Sequence, residues 1–74
     1  MKLILKGDLD ILGNFNVVQS MYMIFQSALD GLSSKPYVDG KREISFKSSI
    51  TYLIGYNLKL VENKVTKTLT FIIK

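Results

Sequence analysis

The stretch NVVQSMYMIFQSALD, Asn16 to Asp30, decides how the rest of the chain reads. Val18, Met21, Tyr22, Phe25, Ala28, Leu29 and Leu32 recur at three- and four-residue steps, and Val17 and Ile24 widen the stripe. That period belongs to a helix with one face against a core. Asn16 followed by Gln19 has the form of a capping box, in which each side chain takes an orphan amide of the first turn. Gly31 stands where a left-handed C-terminal cap is expected. The far side of this helix carries Gln19, Ser20, Met23, Gln26 and Ser27, and no charged residue occurs between Asp10 and Asp30. A helix facing water usually gains support from Glu and Lys pairs, so this back is expected to be covered. Gln19, Met23, Gln26 and Ser27 are therefore the predicted protein interface. A second copy of the chain is the expected cover, because a two-fold pair of helices uses the same patch on both subunits.

Working outward, residues 2–12 alternate: Leu3, Leu5, Leu9 and Ile11 share one parity, and Lys2, Lys6, Asp8 and Asp10 the other. This predicts a strand with one buried face, interrupted at Gly7 by a bulge or a close approach. Gly13-Asn14 breaks it before the helix. Beyond the helix, Pro36 and Asp39-Gly40 signal turns, and Asp-Gly suits a type I′ hairpin with Tyr37-Val38 and Lys41-Arg42 as arms. From Ile44 the even positions are apolar through Phe46, Ile50, Tyr52, Ile54, Tyr56, Leu58 and Leu60, with only Ser48 breaking the run. They predict one long strand that bends near Ser48-Ser49 or at Gly55. A final hairpin centred on Asn63-Lys64 pairs Leu58 with Leu69, Tyr56 with Phe71 and Ile54 with Ile73, all on the apolar face. The resulting expectation is an α+β fold in a single small domain, residues 1–74. One helix packs on a mainly antiparallel sheet in the order β-α-β-β, with an extra short hairpin at 36–43.

Size and composition narrow the function. With 74 residues the chain has room for one core, and a domain of this size buries only about 60% of its unfolded surface. Small domains supplement such cores with disulfides, metal or self-association. The sequence has no Cys and no His, which leaves self-association and removes the best metal ligands. No cofactor or metal is expected. The uncharged run from Ile11 to Leu29 contains Asn14, Asn16, Gln19, Ser20, Gln26 and Ser27, so no membrane span is expected. The early charges Lys6 and Asp8 argue against a signal peptide, and the expected location is cytoplasmic.

Candidate chemistry is sparse. Asp8 and Asp10 on one side of a strand lie roughly 7 Å apart, but a DxD pair without a third ligand more often blunts a strand edge. Lys47-Ser48-Ser49 offers a serine and a lysine on opposite faces of a strand. No phosphate-binding glycine loop occurs, so the chain is expected not to be an enzyme. The net charge of +4 and the pI of about 9.5 favour nucleic acid as an alternative ligand. In that case Lys41, Arg42 and Lys47 are the expected phosphate contacts and Tyr37 the stacking ring. The leading expectation is a non-catalytic module that binds a protein partner, of the accessory or inhibitor kind that phages and mobile elements encode. It is expected to be a homodimer.

Overall fold

In Lys2–Gly7 the leucines at 3 and 5 alternate with Lys2, Ile4 and Lys6, and the segment forms the first strand, β1. The computed structural model describes residues 2–48 and 54–74. The strand stops at Gly7, where φ is +102° and a Cβ would lie 1.8 Å from the Ile73 carbonyl oxygen. Only glycine tolerates both conditions. The close approach read from the sequence is therefore present, but the strand does not continue to residue 12. Leu9–Gly13 is a short 3-10 helix, so Asp8 and Asp10 do not share a strand face.

The helix, α1, spans Phe15–Ser33. Its N-cap is Asn14, whose side-chain oxygen accepts the Asn16 amide at 2.9 Å, so the Asn16–Gln19 capping box does not form. Gly31 lies within the helix rather than at a left-handed cap, and Ser34 ends it in right-handed geometry. At the interior position a Cβ on Gly31 would come within 2.8 Å of the Ile44 side chain. The buried residues are Val17, Met21, Ile24, Ala28 and Leu32, a stripe rotated from the expected one. Val18 and Tyr22 are exposed.

Three further strands follow: β2 at Lys41–Lys47, β3 at Asn57–Asn63 and β4 at Thr68–Ile73. The α+β fold holds, with the order β-α-β-β-β. The even-numbered apolar run from Ile44 to Leu60 is two strands, not one bent strand: β2 and β3 pair antiparallel with Ile44 opposite Leu60 and Phe46 opposite Leu58. A hairpin matching even with even keeps the same face as a straight strand, so parity alone does not separate the two. Ile54 is exposed, and Gly55 takes φ +87°. Ser49, Ile50, Thr51 and Tyr52 lie outside the described residues. The short turn at Asp39-Gly40 forms as expected. Both residues have positive φ, and Val38 and Lys41 exchange two backbone hydrogen bonds of 2.8 and 3.1 Å.

The last hairpin keeps the expected faces but shifts register by four residues. Leu58 faces Ile73 rather than Leu69, and Phe71 faces Leu60 rather than Tyr56. The loop is longer than two residues because Asn63 Oδ1 accepts the amides of Val65 and Thr66 at 2.9 and 3.1 Å. Lys67 then takes φ +58°, which returns the chain into β4.

The sheet order is β1-β4-β3-β2, with β1 parallel to β4 at one edge. Lateral rows run across it. Toward the helix lie Leu5, Phe71, Leu60 and Ile44 in one row, and Gly7, Ile73, Leu58 and Phe46 in the next. Leu58, Leu60, Phe71 and Ile73 are at most 1% exposed, and the Phe25 ring tilts against Phe71 with centroids 5.6 Å apart. No helix of the described residues is long and apolar enough to cross a membrane. Phe71→Ala removes the largest side chain from the central row and is expected to cost about 3–5 kcal/mol. Thr70→Ala, on the other face, is expected to cost less than about 1 kcal/mol. Chemical denaturation of the two variants checks the assignment. Gly7→Ala should destabilise by well over about 1 kcal/mol, since it forces a Cβ into positive φ against the Ile73 carbonyl.

Candidate functional site

The residues expected to bind nucleic acid are divided among different surroundings. Arg42 lies on the helix side of β2, where its Nε donates to Glu62 Oε1 at 2.6 Å and its Nη1 to the carbonyls of Ser33 and Lys35 at 3.3 and 3.1 Å. Its guanidinium sits 4.4 Å from the centroid of the Tyr37 ring, and Lys64 Nζ lies over the same ring at 4.5 Å. Arg42 thus ties the helix C-terminus, the following loop, β2 and β3 together. Desolvation, then a hydrogen bond with Glu62, pushes the Tyr37 hydroxyl above the usual tyrosine range. Desolvation likewise raises the hydroxyl of Tyr56, which also donates to Asp8 Oδ2 at 3.2 Å.

Lys41 and Lys47 belong to the opposite, helix-free face of the sheet. One row there runs Lys2, Thr68, Asn63, Lys41, the next Ile4, Thr70, Val61, Glu43, and the third Lys6, Ile72, Lys59, Ser45. Lysine therefore occupies the first and third of these rows, and Lys47 stands in the next, opposite Asn57. Lys59 Nζ pairs with Glu43 at 3.2 Å, and no aromatic residue of the strands faces this side.

The expected interface residues Gln19, Met23, Gln26 and Ser27 are all exposed on the helix back. A second surface was not anticipated. Between β1 and the helix lies an apolar groove of about 320 Å³ lined by Leu3, Leu5, Leu12, Val18, Met21, Tyr22, Phe25 and Phe71. Leu3 and Leu5 are 50% and 42% exposed although they point to the core side, and Val18 and Tyr22 are 42% and 67% exposed. Phe15, at the helix start, is exposed as well. The sequence held a signal for this flank. The nine positions of the apolar stripe span more of the helix than a single sheet contact buries.

No known protein family, curated protein or solved structure matches the chain.

Arg42→Lys keeps the charge but loses the planar fork that serves one carboxylate and two carbonyls. It is expected to lower stability by about 2 kcal/mol, measured by denaturant titration. The two raised tyrosines set an alkaline limit. A hydroxyl whose pKa is higher in the folded chain favours folding below its ordinary value near 10, and that contribution is lost as pH climbs through the raised value. Stability should therefore fall above about pH 10, less steeply in Tyr56→Phe.

Proposed function

We propose that the protein is a small, non-catalytic protein-binding module that acts in the cytoplasm by contact, as an accessory or inhibitor of a partner protein. The exposed apolar flank formed by Leu3, Leu5, Val18 and Tyr22 carries this reading. A monomer rarely leaves contiguous apolar surface open unless something occupies it. Self-association through the other helix surface belongs to the same proposal. Gln19, Met23, Gln26 and Ser27 are exposed and uncharged along the helix back, and a second copy would add burial to a thin core.

A nucleic-acid ligand is the second reading, and the two lysine rows of the open sheet face favour it. It draws on Lys2, Lys6, Lys41 and Lys47 rather than on Arg42 and Tyr37, which are engaged in holding the loop.

Two measurements test the proposal. A photo-crosslinking residue at Tyr22 should join the chain to another protein in its host, while the same residue at Ser45 on the open face should not. Equal or absent adducts overturn the reading. Sedimentation at micromolar concentration should give twice the 8.4 kDa chain mass, and Met23→Lys should return the monomer with unchanged circular dichroism. A homogeneous monomer overturns the dimer. A steep fall in affinity for random DNA or RNA with salt, about one log unit per log unit of salt for each phosphate contacted, would favour the second reading instead.

A further inference from the structure

Strand β1 carries two features that bear on what the flank binds, and this inference rests on the protein-binding reading above. The first is a free backbone edge. The Lys2 amide donates to Lys67 and the Asp8 amide to Ile73, so the even-numbered residues turn their peptide groups toward β4. Alternation then directs the N–H and C=O groups of Leu3 and Leu5 outward. No described strand pairs with that side. The second is an alternation of chemistry along the edge. Leu3 and Leu5 open into the apolar groove beside Val18 and Tyr22, while Lys2, Ile4 and Lys6 line the margin of the open face. Neither lysine has an ion pair among the described residues.

A second copy does not suit this edge. Antiparallel self-pairing centred on Ile4 sets Lys2 opposite the other copy's Lys6 twice, and shifting the centre to Leu3 or Leu5 still gathers lysines from both copies on one face. Like charges in cross-strand positions are destabilising, and edge lysines are a recognised barrier to self-pairing.

We propose that β1 receives an extended segment of a partner protein as a fifth strand, and that the segment has the pattern acid–apolar–any–apolar–acid. Its two apolar side chains stand opposite Leu3 and Leu5 and enter the groove, and its two carboxylates stand opposite Lys2 and Lys6. The pattern is palindromic, so it serves either strand direction. Main-chain hydrogen bonds to Leu3 and Leu5 supply affinity, and the alternate side chains supply selectivity, the general logic of strand addition. No five-residue stretch of these 74 residues has that pattern, so a second copy of them does not supply the segment.

The probe is the end-blocked peptide Ser-Glu-Val-Thr-Val-Glu-Ser, titrated into isotope-labelled protein and followed by NMR. Saturable shifts and slowed exchange are expected at the amides of Leu3 and Leu5. The double variant Lys2→Glu/Lys6→Glu, whose fold is checked from its own spectrum, should bind this peptide about tenfold more weakly. It should prefer the peptide in which lysine replaces glutamate. Absence of saturable shifts, shifts confined to the helix back or open sheet face, or equal binding of both peptides by the unmodified chain overturns strand addition. If the peptide fails while crosslinking at Tyr22 succeeds, only strand addition falls. If both fail, the protein-binding reading falls with it.

Discussion

One helix has to cover a sheet four strands wide. A helix with its side chains is about 10 Å across, and strands about 4.8 Å apart make the sheet wider than that. The consequences are visible row by row. On the central strands Leu58, Leu60, Phe71 and Ile73 are sealed, on β2 Ile44 and Phe46 are half-buried, and on β1 the leucines stay open. The connectivity adds a diagonal. The helix leaves from the end of β1 and must reach the beginning of β2 at the opposite edge, so it draws away from β1 along its course. Leu3, farther from the helix start than Leu5, is the more exposed of the two.

Where the helix arrives, a polar cluster replaces apolar packing. Arg42 accounts for two carbonyls near the helix end, one carboxylate and one aromatic face. Such a partly buried cation is stabilised because its Nε finds a carboxylate and its Nη1 two carbonyls. This engagement also has a functional meaning. The chain's single arginine, which composition alone offers as a phosphate contact, serves as a structural tie, while Lys2, Lys6, Lys41 and Lys47 lie on the opposite sheet face.

The two faces of β1 therefore present different chemistry along one free edge, leucine toward the groove and lysine toward the open face. An edge of this kind discourages its own copies by charge and leaves its apolar side available. Under the strand-addition proposal, the two lysines that discourage self-pairing are also the ones that select the partner segment.

Much of the fold was legible in the residues. Helical periodicity placed α1 to within a few residues, Asp39-Gly40 gave the type I′ turn, and Gly7 marked the close approach. The face of each apolar residue in β3 and β4 was also correct, because side-chain direction depends only on parity. Parity, however, is blind to shifts of two or four residues and to a reversal that pairs even with even. Neither the β2–β3 hairpin nor the register of Phe71 against Leu60 could follow from it. The Asn63 side chain, by bonding the amides of Val65 and Thr66, set the last loop's length. The helix shows the same division: sequence determined that it is amphipathic, but the nine positions of its apolar stripe exceeded what one sheet contact could bury. Which of them became core, and which became the groove beside β1, was decided only when the helix took its diagonal path across the sheet. That path is a property of strand order, and strand order is made by contacts far apart in the chain.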